Sequence, residues 1–314
     1  MGTFSAVDFR ELFDRHRREL HVHCYRMLAS FEEADDAVQE TFLRAWRHQD
    51  SFEPGTNPRA WLYRIATNTC LDAIRRSARR PPAASSEISW LQPYPDTLLD
   101  QVAPPDEQPD AVVVTRETIE LAYLAAIQLL PARQRAVLLM RDVLDWSAAE
   151  TAELLELSVA SANSALQRAR ATLRTATTPP PGDITATEQE LLARLIDAHE
   201  RADVPAAVAL LRDDVRVTMP PYPMVYNGIA EMILLLDRAF GRAGHEAMGD
   251  WRLLPIRANR MPGTASYLRE PGAAQFRAFK LDVVRAVDGK VAEFTTFDAG
   301  LFARFGLPSV LPVR

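Results

Sequence analysis

The amino-acid sequence predicts two consecutive all-α domains followed by an α+β domain. Three observations carry this expectation. From Val7 to about Ala78, and again from Val112 to Leu173, apolar residues recur three and four positions apart, as amphipathic helices require. Two stretches lack any such period: residues 81–111, with Pro81, Pro82, Pro93, Pro95, Pro104, Pro105 and Pro109, and residues 176–183, with three consecutive prolines before Gly182. Beyond residue 184 two helical patterns give way to alternation of apolar and polar residues, the signature of strands. The expected organisation is therefore a helical domain at 7–80, an acidic Pro-rich linker at 81–111, a second helical domain at 112–175, a short linker at 176–183 and an α+β domain at 184–314. A chain of 314 residues has room for that many cores.

In the first domain, Leu12, Leu20, Tyr25 and Leu28 mark one helix and Val38, Phe42 and Trp46 the buried stripe of the next. Opposite that stripe, Asp35, Asp36, Gln39 and Glu40 form a polar face, suited to a basic partner or simply to solvent. A third helix sets Trp61, Leu62, Ile65 and Thr69 toward the core and leaves Arg64, Asn68, Arg75, Arg76, Arg79 and Arg80 outside. His16, His21, His23 and Cys24 have spacings that do not stack on one helical face, so no metal site is expected there.

In the second domain, Ser147 and Glu150 form a capping box after Trp146, leading into Leu154 and Leu155. A short break follows, and another helix starts near Ser158, which is helix-turn-helix spacing. Its small first turns (Ser158, Ala160, Ser161, Ala162, Asn163, Ser164) let a backbone approach base edges, with Asn163 the best base reader. Arg168, Arg170 and Arg174 follow where phosphates would lie. Taken alone, the same pattern describes a helical hairpin whose small residues allow close packing. Glu156 occupies the turn position that usually takes glycine.

In the third domain, Thr185 with Glu188 caps a helix carrying Leu192, Leu195, Ile196 and His199, and Pro205 opens another after Asp203. Val215, Val217 and Met219 alternate with polar neighbours, as do Phe279, Leu281 and Val283. Val287-Asp288-Gly289-Lys290 is a two-residue hairpin turn.

Composition bounds the function. An apolar content of 47% with 25% charged residues and no apolar run near ~18 residues excludes an integral membrane protein. The N-terminus has no secretion-signal pattern, so a cytoplasmic location is expected. Two cysteines, Cys24 and Cys70, cannot build a disulfide framework. The net charge of −6 opposes nucleic-acid binding on average, but the charge is segregated. Residues 85–120 hold eight acids and one base, residues 58–80 six arginines and one acid, and residues 158–174 three arginines and no acid. The first 175 residues contain no Gly-rich phosphate loop and no nucleophile elbow.

The strings Asp35-Asp36-Ala37-Val38-Gln39-Glu40-Thr41-Phe42-Leu43-Arg44-Ala45-Trp46 and Pro58-Arg59-Ala60-Trp61-Leu62-Tyr63-Arg64-Ile65-Ala66-Thr67-Asn68 resemble region 2 of bacterial sigma factors. Leu130-Pro131-Ala132-Arg133-Gln134-Arg135-Ala136-Val137-Leu138, running into the helix-turn-helix, resembles region 4. Their order, with no region 3 between them, is that of the extracytoplasmic-function group. This resemblance covers residues 7–175.

The resemblance implies a region 2 helical bundle and a region 4 helix-turn-helix, with core RNA polymerase (the β′ clamp helices and the β flap) and promoter DNA as partners. It assigns Asp35, Asp36, Gln39 and Glu40 to polymerase docking. Arg64, Asn68, Arg75, Arg76 and Arg79 would meet the −10 element, with the loop from His48 to Asn57 capturing an extruded base. Ser158, Ser161, Asn163, Ser164, Arg168 and Arg170 would meet the −35 element.

Residues 184–314 resemble the SnoaL-like, nuclear-transport-factor-2-like (NTF2-like) superfamily through Tyr226-Asn227-Gly228-Ile229 and Val287-Asp288-Gly289-Lys290-Val291-Ala292-Glu293-Phe294. That implies a cone with an interior pocket. His199, Tyr222, Tyr226, Trp251, Phe276 and Asp298, with Asp250, are its candidate lining residues, and a small molecule its candidate ligand. No cofactor or metal is implied. Trp90-Leu91-Gln92-Pro93-Tyr94-Pro95-Asp96 resembles the linker of the SigG- or SigJ-like subgroup. The expected function is promoter-specific initiation, with the last domain regulatory rather than catalytic. A one-component repressor or activator with a ligand domain and a small-molecule enzyme with a vestigial DNA-binding half are the competing classes; a conventional repressor would need a dimer interface and has no use for the docking face at Asp35 to Glu40.

Overall fold

The computed structural model describes residues 6–49, 52, 57–77, 91–101, 121–176, 184–242, 244 and 246–313. The chain divides into two compact units, one of Met1–Pro82 with Leu98–Pro180, the other of Ala83–Thr97 with Pro181–Arg314.

The first unit is helical. α1 (Ala6–Leu28), α2 (Phe31–Arg47) and α3 (Pro58–Ser77) pack around Leu20, Tyr25, Met27, Val38 and Leu62. Ser30 caps α2, its hydroxyl accepting the Glu33 N–H at 3.2 Å. α3 departs from the sequence expectation at two positions. Leu62 and Thr69 are buried as expected, together with Tyr63, Ala66, Thr67 and Cys70, while Trp61 and Ile65 are only half-buried and Trp61 packs against Phe52. The reason is the buried polar edge of α1: Tyr63 Oη donates to Glu19 at 3.1 Å and Thr67 lies 2.9 Å from His23, so these amphipathic side chains face inward.

A single turn, α4 (Asp96–Leu99), precedes α5 (Leu121–Gln128) and α6 (Ala132–Leu138), which runs on as one π turn at Leu139–Val143. α7 (Ala148–Leu154) and α8 (Val159–Ala176) complete the unit. The expected capping box at Ser147 and Glu150 is formed. Glu156 takes φ 54, so a side-chain-bearing residue holds the left-handed position expected for glycine.

The two helical halves share one core. Arg135, 5% exposed, donates to the carbonyls of Ile127 (2.9 Å), Gln128 (2.8 Å) and Leu130 (3.3 Å), to the Gln128 amide oxygen, and across to Met27 of α1. Gln128 donates to the Arg26 carbonyl at 3.2 Å, and Tyr63 meets Trp146 edge-on at 6.1 Å. Burial pulls the Arg135 pKa down to about 10, which still leaves it charged at neutral pH.

The second unit is α+β. α9 (Ala186–Glu200), α10 (Val204–Ala209) and α11 (Gly228–Phe240) pack on a sheet of β1 (Leu211–Met219), β2 (Tyr222–Asn227), β3 (Asp250–Ala258), β4 (Met261–Arg269), β5 (Gln275–Val287), β6 (Lys290–Asp298) and β7 (Val310–Pro312). The strand order is β2-β1-β6-β5-β4-β3, with β7 on β5; β1 and β6 run parallel and the other pairs antiparallel. Leu191, Leu192 and Leu195 of α9 pack on Val215, Val217, Val284 and Phe294. The Asp288–Gly289 turn has φ 53 and 73, the geometry that such a hairpin requires.

Two expectations need correction. The alternation at Phe279, Leu281 and Val283 does not separate a buried from a solvated face, because Asp282 and Val284 are buried as well. The register shifts between Ser266 and Tyr267, leaving Phe279 as the extra residue of β5, against Trp251. Residues 91–97, expected as extended linker, are instead docked in the second unit. Tyr94 N–H donates to Asn259 Oδ1 at 2.7 Å and the Asn259 N–H returns to the Tyr94 carbonyl at 2.9 Å. The Arg260 N–H donates to Asp96 at 2.8 Å, and Arg257 lies 3.4 Å from the same carboxylate, which is 2% exposed. Asn259 and Arg260, both at positive φ, are the turn between β3 and β4, so a tight hairpin aims its backbone and side chains at the strand-like segment.

Candidate functional site

Three groups of residues stand out. On α2, Asp36 and Gln39 are exposed, whereas Asp35 and Glu40 are half-buried. Asp35 lies 3.4 Å from His21, and Glu40 accepts from Arg44 at 2.7 Å, an arginine shared with Asp72 of α3. Between α2 and α3 runs a groove of about 510 Å³ lined by Glu33, Asp36 and Glu40 on one side and Thr69, Ala73 and Arg76 on the other. Acids dominate it, and Thr69 Oγ1 is buried there without a hydrogen-bond partner.

Arg64, Asn68 and Arg75 are exposed within about 40° of one another around α3, at about 100° per residue. Arg76 stands about 120° away from Arg64, on the wall of the acidic groove. The structure thus brings together three of the expected −10 residues and separates Arg76. Arg79 and most of the loop from His48 to Asn57 lie outside the described residues. His16, His21 and His23 have three different neighbours, Glu19, Asp35 and Thr67.

α8 buries Ala162, Ala165, Leu166 and Ala169 and turns Asn163, Gln167 and Arg168 outward. Gln167, one turn after Asn163, was not singled out from the sequence, although its i, i+4 spacing is the signal that finds it. Ser158 is engaged as a cap: its hydroxyl donates to Ser161 Oγ at 2.8 Å and accepts the Ser161 N–H at 3.1 Å. Arg168 donates to Ser164 at 2.7 Å. Arg170 is also exposed, about 20° around the helix from Asn163 at about 100° per residue, and both its donors grip Asp142 of the π turn, at 3.0 and 2.6 Å.

In the second unit, β-pairing fixes one face of the sheet. Trp251, Leu253, Ser266, Leu268, Thr264, Lys280, Asp282 and Thr296 share it, because each lies directly opposite another on a neighbouring strand or alternates with one that does. α9 and α11 cover that face through Ile196, Ala239 and Phe240. His199 reaches it, its ring 5.0 Å from Trp251 and 4.9 Å from Phe240. Burial pushes the His199 pKa down to about 3, with Lys280 adding to the effect, so the imidazole is neutral.

Of the residues expected around a pocket, His199 and Trp251 meet, and Tyr226 packs elsewhere on the core under α9. Tyr222 is 56% exposed on the edge strand β2. Phe276 lies on the opposite sheet face under Arg252 and Arg269. Asp298 caps the 3-10 turn at Ala299–Phe305, and Asp250 pairs with Arg269 at the surface. The carboxylate that does face His199 is Asp282, held by Thr296 (2.6 Å), Lys280 (2.9 Å) and Thr264 (3.5 Å).

Residues 12–80 match the family described as Sigma-70 region 2, and residues 120–173 match Sigma-70, region 4. The ECF RNA polymerase sigma factor SigG of Mycobacterium tuberculosis is 39% identical over 324 aligned positions, covering 97% of this chain and 85% of that protein. SigJ of the same species is 28% identical, covering 89% of this chain and 88% of that one. The crystal structure of SigJ superposes with a TM-score of 0.63 at 22% identity, covering 97% of this chain and all of the other, so the fold is shared along the chain.

Proposed function

Because the chain belongs to the extracytoplasmic-function (ECF) RNA polymerase sigma factors, which bind core RNA polymerase and direct initiation at promoters, we propose how its two units divide that work. The helical unit makes the contacts. Asp36 and Glu40 at the groove between α2 and α3, with Asp35 and Gln39 of the same helix, dock on the β′ clamp helices, and α5–α8 meet the β flap. Arg64, Asn68 and Arg75 attend the −10 element. Asn163 and Gln167 read base edges at −35, and Arg168 holds phosphate. The protein is a non-enzymatic transcription factor, and its second unit acts as a regulatory module open to a small-molecule ligand.

The observation that carries the regulatory reading is the grip of Asn259 and Arg260 on residues 91–97. That segment lies in the connector between the two promoter-reading halves. Elements named for positions −10 and −35 lie roughly 25 base pairs apart, or roughly 85 Å at about 3.4 Å per pair. The halves are stitched together through Arg135 and must part to span that distance. A connector held by the second unit has less slack for parting, so the grip restrains initiation. Asn259→Gly keeps the left-handed turn and deletes the acceptor for Tyr94. Run-off transcription with core polymerase is expected to give higher output from unchanged start sites for this variant, and for a chain ending at Thr175. Unchanged output from both removes the regulatory reading and leaves promoter recognition standing.

A further inference from the structure

We propose that Cys24 and Cys70 form a site of reversible oxidation by a hydroperoxide, closed while Arg135 ties the two helical halves together and opened when they part. The proposal rests on the parting of the halves described above, but it is tested by thiol chemistry and not by transcription, so the two can fail separately.

The seam between α1 and α3 places the pair. Tyr63 donates to Glu19 at 3.1 Å and Thr67 lies 2.9 Å from His23, so the two helices run side by side in the same direction, their contacts advancing by four residues on each. Cys24 follows His23 directly, and Cys70 stands nearly one turn beyond Thr67. They are the chain's two cysteines, both fully buried, and their thiols are hydrogen-bonded to each other. Farther along the seam, the Met27 carbonyl of α1 receives Arg135 from α6. The charge of Arg135 acts on Cys70, so the residue that stitches the halves also stands over the pair.

A buried cysteine is by itself a small apolar side chain, but two in contact can do what neither does alone. One thiolate attacks the O–O bond of the peroxide and takes an oxygen as sulfenic acid, while the departing hydroxide picks up the thiol's proton and leaves as water. The second thiol attacks that sulfur, the S–O bond breaks, and a second water leaves. In sum, two thiols lose two electrons and two protons to form one S–S bond, and hydrogen peroxide is reduced to two waters. Thiols already in contact reach bonding distance by rotation of their side chains rather than movement of the helices. The attacking species must be a thiolate, which is where the halves enter. While they are stitched, burial and the hydrogen bond with Cys24 hold the Cys70 thiol well above the ordinary cysteine range, and the seam is shut to water. Parting takes Arg135 off the seam, admits water and peroxide, and lets the thiol return toward its ordinary value of ~8.5. Oxidation therefore marks molecules that have opened.

The test treats the full reduced chain with hydrogen peroxide, counts free thiols after denaturation and maps peptides without reduction. Both thiols are expected to disappear together, leaving a monomer in which the peptides of Cys24 and Cys70 are joined and two hydrogens lighter, and dithiothreitol restores both. Arg135→Met is expected to speed the loss about tenfold, because local opening governs access to a buried group. Gln128→Ala is the milder variant. It removes one acceptor from Arg135 and the 3.2 Å bond to the Arg26 carbonyl but leaves the guanidinium its four carbonyls, so the fold is kept, which near-ultraviolet circular dichroism verifies. An increase of about threefold is expected for it. Separate sulfinic acids with no joined peptide would show that the thiols do not act as a pair. Thiols that persist in both variants, or equal rates in all three proteins, would show that Arg135 does not guard them, and any of these results overturns the proposal.

Discussion

His23 shows how one buried side chain sets a property of the whole chain. Thr67 commits its only hydroxyl proton to the Tyr63 carbonyl at 2.8 Å, so at 2.9 Å it must accept from His23, which fixes the hydrogen on Nε2. Burial pushes the His23 pKa down to about 3, as it does for His199. The unfolded chain protonates both near the ordinary histidine value of ~6.5. Between that value and about 3 the unfolded state therefore binds more protons, and stability falls as the pH falls. Urea unfolding at pH 7 and pH 5 is expected to show a loss on the order of 1–2 kcal/mol per histidine, and His23→Gln, which keeps a donor toward Thr67, should shrink that loss. A pH dependence identical in His23→Gln would mean that His23 is not held neutral.

At the scale of elements, α8 separates the residues that read from those that brace. Asn163→Ala is expected to relax selectivity at one position of the −35 element by about 1–3 kcal/mol. Arg168→Ala should weaken binding to every sequence and lower the salt slope by about 1. Binding of the polymerase holoenzyme to a promoter library at several salt concentrations distinguishes them, and matching profiles would mean that the outward face of α8 has been misread. Much of this was legible in the sequence because it is local. The capping boxes at Ser147 and Thr185, the Asp288–Gly289 turn and the small residues opening α8 each act within a few positions of themselves. What escaped depends on distant pairing. Asp282 reads as the polar half of an alternating strand, and only its register with Thr264 and Thr296 shows it buried. Arg170 reads from the sequence as a phosphate contact, and only the fold shows its ion pair with Asp142 of the π turn. Trp61 and Tyr63 are two residues apart on one helix, and only the polar edge of α1 decides which turns inward.

For the molecule as a whole, Arg135 is the point where the two helical halves become one unit. Arg135→Met would leave five oxygens, on Met27, Ile127, Gln128 and Leu130, without their donor. A loss of about 2–4 kcal/mol is expected in urea unfolding, with faster amide exchange in both α1 and α5. Faster exchange in α5 alone would show that the halves hold together without it. The second unit is restrained differently, through partners 165 positions apart at Tyr94 and Asn259. A ribosome adding roughly 5–20 residues per second needs on the order of 8 to 33 s to travel from one to the other. For about the latter half of that interval both helical segments have been synthesised and the β3–β4 turn has not, so every newly made copy passes through a youth in which its connector is unheld.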